Sequence, residues 1–239
     1  MVQSINLLSK PDGHSKKIPR VVEIIGPAGA GKTTICQALY KYPDQICLGD
    51  FPNVRRIADA PFFIWYGLQL MPTMLRLHQR ASRRLSRREF AWMSILYGWP
   101  IVLQRALKKT TKVIVLDQGP VYLLAEMREF GPEYLQREEA RKLWQDIYCR
   151  WAATLDLIVW LDAADINLME RIRTRDQEHI VKNETATTVF EFLARYRNAY
   201  DYVLYMLKAI TPGLRVLRFD TSVRNPREIV DSLSAELYF

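Results

Sequence analysis

Cysteine is scarce in this sequence, and its scarcity excludes two classes of protein. The 239 residues include three cysteines: Cys36, Cys47 and Cys149. An odd number argues against a framework of disulfides, and their spacing does not resemble a set of metal ligands. We therefore expect Cys36 and Cys47 to be small buried hydrophobic side chains rather than reactive thiols.

Long hydrophobic runs and a secretory signal are also missing. The stretch richest in large apolar residues, Ala60 to Leu77, is too short for a membrane span and is interrupted by Pro72. We expect it to form a core helix, with an interfacial membrane contact as the alternative. The N-terminal residues lack the charged, apolar and small-residue order of a signal peptide, which predicts a cytoplasmic protein.

Size and charge bound the remaining classes. An apolar content of 49% is ample for the core of one α/β domain, at most with a lid. The net charge of +8 suggests anionic ligands, which nucleotides satisfy, and does not by itself imply nucleic acid. Residues 1–17 are polar and without periodicity, so we expect a mobile tail before a single domain at 18–239.

The most informative stretch runs from Arg20 to Tyr40. An apolar, β-branched run is followed by an instance of G-x-x-x-x-G-K-[ST] and then by helical spacing of apolar residues, which is the context that a phosphate loop requires. Backbone N–H groups and a helix N-terminus would surround a phosphate there, with Lys32 on the β/γ-phosphates and Thr33 on Mg²⁺. The predicted nucleotide-binding residues are Gly26, Pro27, Ala28, Gly29, Ala30, Gly31, Lys32, Thr33 and Thr34.

Strands and helices alternate along the rest of the chain. Further apolar runs predict buried strands at Gln45 to Leu48, Lys112 to Leu116, Asp156 to Leu161 and Leu214 to Phe219. Because each run is separated from the next by helical patterns, the sequence predicts a three-layer α/β fold with a largely parallel, five-stranded sheet.

Local signals predict where several helices begin. Ser86 has the form of a capping box before an apolar run, and a second capping box is predicted at Thr188. Asn225 precedes a proline at the first helical position. Asp165 is predicted to be an N-cap, and Pro132 is expected to open a long amphipathic helix.

One acidic residue is a candidate metal ligand. Asp117 follows the apolar run at 112–116, at the carboxyl end of a predicted strand that neighbours the phosphate loop. Enzymes with this loop hold Mg²⁺ at that position, directly or through water. The alternative is that Asp117 caps the helix that follows Gly119.

The layout from about Arg20 onward resembles the P-loop nucleoside and nucleotide kinases, in particular the deoxynucleoside kinase and thymidylate kinase branch. The resemblance implies that a carboxylate after the second strand, Asp50, faces the phosphate acceptor. The third strand of such kinases usually ends in Asp-Arg or Glu-Arg, whereas this chain has Asp117-Gln118. Either Arg83 or Arg84 replaces the missing arginine, or the acceptor differs.

The same resemblance implies further parts of a nucleoside monophosphate kinase-like architecture. Arg171 and Arg175 match the Arg-x-x-x-Arg of a helical lid over about 171–187, and we expect both to lie on one helix face. Residues 54–110 would form a helical insert on the acceptor side. Asp220 and Thr221 fall where members of the family pass the adenine ring.

These observations predict an ATP-dependent kinase that uses Mg²⁺ and phosphorylates a nucleoside or nucleoside monophosphate. One alternative is a kinase for another alcohol, such as a sugar, an antibiotic or a lipid-linked acceptor. Another is a non-kinase NTPase whose basic segment, 76–88, binds a partner. Nucleic acid is not expected as a partner, and the apolar stretch Ala91 to Leu103 is a candidate for pairing in a homodimer.

Overall fold

The computed structural model describes residues 20–49, 51–78, 83 and 85–238. The tail predicted at 1–17 lies outside these residues. So do Asp50 and Arg84, two candidates for the acceptor site.

A single parallel sheet of five strands forms the centre of the protein, in the order β2-β3-β1-β4-β5. The strands are β1 (Val21–Ile25), β2 (Ile46–Leu48), β3 (Val113–Asp117), β4 (Leu157–Asp162) and β5 (Arg215–Asp220). Strand β1 pairs with β3 on one side and with β4 on the other. The segments that leave these three strands therefore emerge side by side at the carboxyl edge of the sheet.

Helices cover both sides of the sheet, so the predicted α/β class with a parallel five-stranded sheet is confirmed. They are α1 (Lys32–Leu39), α2 (Ala60–His78), α3 (Arg87–Leu107), α4 (Pro120–Glu129), α5 (Arg141–Ala152), α6 (Asp165–Thr174), α7 (Ala186–Ile210) and α8 (Pro226–Tyr238). Short 3₁₀ turns occur at Ile57–Asp59, Glu133–Gln136 and Glu138–Ala140.

The core lies where the helices meet the sheet. All five residues of β1 are buried, as are the first five of β4, which matches the continuous apolar runs expected of central parallel strands. Three tryptophans, Trp99, Trp151 and Trp160, are fully buried and fill the space between helices and sheet. Cys36 is also buried, and burial raises the pKa of its thiol to about 12, as expected of an inert cysteine.

Some predicted helix starts are confirmed and others are wrong. Ser86 forms the predicted capping box with Glu89, and Asn225 caps α8 through the backbone N–H of Glu228. Helix α7, however, begins at Ala186, because Thr185 rather than Thr188 supplies the capping oxygen. Asp165 is the first residue of α6 and not its N-cap, since its carboxylate pairs with Arg197.

The long helix predicted from Pro132 is also wrong. Two 3₁₀ turns occupy that stretch, and the extended backbone of Arg137 separates them. Buried Tyr134 and Leu135 anchor the turns in the core. The regular helix, α5, begins only at Arg141.

The expectation that α2 is a core helix is wrong, because only one of its sides is buried. One side is buried through Tyr66, Leu70, Met74 and Leu77, but the other side, which is equally apolar, faces solvent. In contrast, most apolar side chains of the stretch 91–103 are buried inside the chain, so this candidate for subunit pairing presents little surface. Among the helices described, none has the length and apolarity needed to cross a membrane.

Candidate functional site

The phosphate loop adopts the conformation that its glycines permit. Gly29 and Gly31 have φ angles of +83° and +86°, and Gly26 has φ of +149°. A Cβ atom on Gly26 would lie 2.1 Å from the carbonyl oxygen of Leu161, so no larger residue fits beside β4. Because Gly31 gives α1 no side-chain cap, the first N–H groups of this helix remain available to an anion.

Lys32 lies inside this loop. Its Nζ donates to the carbonyl oxygens of Gly26 at 2.8 Å and Pro27 at 2.9 Å. Burial, with a smaller contribution from nearby Arg175, lowers the pKa of Lys32 to about 8, while the carboxylate of Asp117 opposes the shift. The ammonium is therefore held at the loop, and the negative charge near it does not offset its burial. An incoming phosphate would stabilise the positive charge.

Thr33 and Asp117 meet beside the loop. The Thr33 hydroxyl donates to Oδ2 of Asp117 at 3.3 Å, and Oδ1 of Asp117 is buried without a hydrogen-bond partner in the described residues. Burial raises the pKa of Asp117, whereas Lys32 and the Thr33 hydroxyl act to lower it. A hydroxyl oxygen beside an unpaired carboxylate oxygen fits Mg²⁺, a cation that takes oxygen ligands.

The alternative role of Asp117 as a helix cap is wrong. Gly119 occupies the N-cap position of α4, with no side-chain cap. The carboxylate that serves the start of α4 comes instead from Glu23, in the middle of β1. Its two oxygens accept the backbone N–H groups of Val121 at 2.9 Å and Tyr122 at 3.1 Å.

Glu23 is a residue that the sequence analysis missed. Its side chain is completely buried, and burial raises its pKa to about 8 against the effect of the backbone N–H donors. The signal that was available was an acidic residue in an otherwise apolar strand. Glu23 fixes α4 relative to β1. Gln118, in the turn between β3 and α4, takes a left-handed backbone with φ of +56°.

The two lid arginines have different surroundings. Arg171 donates to the carbonyl oxygen of Gly29 and to both the hydroxyl and the carbonyl oxygen of Thr221. It therefore ties α6 to the phosphate loop and to the end of β5. Arg175 lies past the end of α6, with extended backbone, and its buried Nε has no partner in the described residues.

The expectation that both arginines share one helix face is therefore wrong, because α6 ends at Thr174. Residues 175–185 form bends and turns, and the chain is helical again from Ala186. Both arginines nevertheless line the same cavity, which has a volume of about 790 Å³. They reach it from a helix and from a turn, respectively.

The lining of this cavity has four parts. The phosphate loop forms its floor, and Thr221, Arg224, Pro226 and Ile229 line one end. Lid residues 175 and 177–179 close over it. The fourth part consists of one amide and four aromatic side chains, which we call the aromatic wall: Gln118, Tyr122, Phe192, Tyr196 and Tyr200.

Hydrogen bonds hold the aromatic wall in place. The hydroxyl groups of Tyr122 and Tyr196 both donate to Oε1 of Glu126, on α4. The Phe192 and Tyr196 rings pack with their centroids 4.8 Å apart. Tyr196 and Tyr200 are both buried on α7, and their rings also border the cavity.

The cavity brings together most of the predicted site residues but not all. Lys32, Thr33, Thr34, Arg171, Arg175 and Thr221 line it, as do the loop residues 26–31. Asp220 does not line it; its carboxylate accepts the N–H of Ser222. Arg83 is also elsewhere, since it pairs with Glu89 at 2.7 Å and donates to the carbonyl oxygen of Phe130.

Comparison with known proteins gives a fold and no closer relationship. No protein-family model matches the sequence, and no curated protein matches it significantly. Among solved structures, thymidylate kinase from Candida albicans is similar, with a TM-score of 0.52 at 16% identity, covering 91% of this chain and 90% of that one. Deoxyadenosine kinase from M. mycoides has a TM-score of 0.51 at 15% identity, covering 91% and 98%. The chain thus has the fold of P-loop nucleoside and nucleotide kinases.

Proposed function

We propose that this chain is an ATP-dependent kinase that transfers the γ-phosphate to a nucleoside or nucleoside monophosphate. The observation that carries the proposal is a convergence in and beside one cavity. A phosphate loop and the aromatic wall meet there with Asp117 and Arg175, whose Oδ1 and Nε have no partner among the described residues. Phosphoryl transfer needs in-line positioning and neutralisation of charge more than covalent chemistry from the protein, and these groups supply both.

On the nucleotide side, each residue has a defined task. The N–H groups at the start of α1 bind the phosphates, and Lys32 moves from its carbonyl partners to the β/γ-phosphate oxygens. Thr33 and Asp117 hold Mg²⁺, which neutralises phosphate charge when bound. Thr221 and the neighbouring residues of the β5–α8 turn border the adenine.

The lid residues complete the charge balance. Arg175 reaches the transferring phosphate, because its side chain lines the cavity and its Nε is without a partner in the described residues. Arg171 acts as a positioning residue, since it holds the lid helix on the loop. Closure of 175–185 over the phosphates excludes water, which would otherwise hydrolyse ATP.

The aromatic wall indicates the kind of acceptor. Tyrosine and phenylalanine rings provide faces for stacking a base or sugar, and Gln118 offers one amide donor and one acceptor. Among the residues that the structure describes, the arginines that line the cavity come from the lid and from the β5–α8 turn. We propose that the aromatic wall holds the base or sugar of a nucleoside or nucleoside monophosphate.

Asp50 completes the proposal on the acceptor side. An alcohol that attacks the γ-phosphate must lose its hydroxyl proton as the new O–P bond forms and the bond to the leaving ADP breaks. A carboxylate after β2 is suited to accept this proton. We propose this role for Asp50 on the position of the residue in the chain.

The test is ADP release from ATP and Mg²⁺ with a panel of nucleosides, nucleoside monophosphates, sugars and other alcohols. We expect release that depends on a nucleoside or a nucleoside monophosphate and is absent without an acceptor. Lys32→Ala should reduce the rate at least about a hundredfold, since it removes a charge that stabilises the transition state.

Lys41→Ala is the matched control, because Lys41 is exposed just after α1 and should leave the rate unchanged. ADP release at the same rate with and without every acceptor would contradict the kinase proposal. Release that depends only on a sugar or another alcohol would keep the chemistry and reject the nucleoside.

A further inference from the structure

We infer that the exposed side of helix α2 binds the surface of an anionic lipid bilayer. This surface, which we call the α2 face, is formed by five large apolar side chains: Ile64, Trp65, Leu68, Met71 and Leu75. They are 40–63% exposed. The inference is independent of the proposed kinase activity, because none of the five lines the cavity.

The five side chains form one continuous stripe. Their spacing of one, three, three and four residues keeps them on one side of a helix with 3.6 residues per turn. The remaining exposed positions between Ala60 and Leu77 include one amide, Gln69, and one charge, Arg76. A monomeric soluble domain seldom leaves such a stripe in water, so the face indicates a binding surface.

The charges around α2 indicate that the partner is anionic. Residues 51–90 contain eight arginines and two acidic residues, so this sixth of the chain carries +6 of its net charge of +8. Both acidic side chains are engaged locally: Asp59 accepts the N–H of Asn53, and Glu89 pairs with Arg83. Arg76, near the end of α2, and Arg87, at the start of α3, are exposed, as is Arg55 in the segment before α2.

An anionic membrane is complementary both to the apolar α2 face and to the positive charge around it. The apolar side chains enter the boundary between headgroups and acyl chains. Tryptophan is enriched at this boundary, and Trp65 belongs to the α2 face. The flanking arginines contact the phosphates of anionic lipids, which adds an electrostatic attraction that salt weakens. A second copy of the chain is complementary only to the apolar α2 face, because the positive charges around the two faces would repel each other.

The experiment is co-sedimentation of the full chain with vesicles of phosphatidylcholine, alone or mixed with phosphatidylglycerol. We expect binding to the mixed vesicles, at least tenfold weaker binding to phosphatidylcholine alone, and weakening between about 50 mM and about 500 mM salt. Trp65→Ser and Arg76→Glu should each weaken binding severalfold. Since both side chains are exposed, the variants should fold normally, as checked by circular dichroism.

Matched controls test whether the effect belongs to the α2 face. Tyr205→Ser removes an aromatic ring that is exposed on α7, and Lys142→Glu makes the same charge change on α5. Both should bind like the unmodified chain. Equal losses in the controls, or no sedimentation with mixed vesicles, would overturn the inference. A dimer in sedimentation velocity that Leu68→Asp dissociates would also overturn it and assign the face to self-association.

Discussion

The phosphate loop and helix α2 both stand out in the sequence, but they differ in how well the sequence predicts their surroundings. In the loop, the side chains of Lys32 and Thr33 bond to groups of the same small site, and their order along the chain defines the site. On α2, apolar residues cover both sides of the helix, and only one side is packed. A local motif thus identifies its own environment, whereas an apolar helix does not reveal which of its sides is covered.

The largest expected effect contrasts the two sides of α2. Leu70→Ala should reduce the free energy of unfolding by about 2–5 kcal/mol, because Leu70 is 1% exposed and truncation leaves a cavity. Leu68→Ala, two residues away on the α2 face, should change it by less than about 0.5 kcal/mol. Urea unfolding measures both. Comparable losses would mean that the α2 face is covered in solution.

The next effect separates the two lid arginines. Arg175→Ala should lower kcat about a hundredfold with an unchanged free energy of unfolding, since Arg175 is proposed to contact the transferring phosphate. Arg171→Ala should also lower the free energy of unfolding by about 1.5–3 kcal/mol, because it leaves the Thr221 and Gly29 oxygens without a charged donor. Steady-state kinetics and urea unfolding on both variants provide the test. If Arg175→Ala is the less stable protein, the assignment is reversed.

The smallest effect concerns pH at the loop. Lys32 has a pKa lowered to about 8, so it is protonated below this pH and loses its charge above it. Phosphate binds the protonated form, and ATP affinity should therefore fall above pH 8, by up to about tenfold per pH unit. Titration calorimetry between pH 7 and 9.5 measures the fall, and Lys32→Arg, which does not titrate there, should show a flatter profile. Parallel profiles for the two proteins would contradict this role of the Lys32 charge.

Much of the site was predictable because its signals are local. The phosphate loop requires particular residue types at consecutive positions, and Asp117, which the structure places beside Thr33, was predicted as a site residue from its place at the end of an apolar run. The capping boxes illustrate the limit of local signals. Thr185 and Thr188 are both suitable caps, and in the structure it is Thr185 that caps α7.

The residues that were missed depend on contacts that are distant in the chain. Glu23 binds the start of α4, nearly one hundred residues away, through backbone N–H groups that carry no sequence signal. Tyr122 and Tyr196 share the carboxylate of Glu126 only because α4 packs against α7. Arg175 joins Arg171 at the cavity through a turn, not through the helix face that their spacing suggested.

By itself, the sequence determined the α/β class, the order of the strands and helices along the chain, and the phosphate loop, because periodicity and a short motif record these features locally. The tertiary structure decided which strands are neighbours, which rings border the cavity and which side of α2 remains in water. These depend on how segments far apart in the chain pack together, since burial is a property of the neighbours a residue acquires and not of the residue alone.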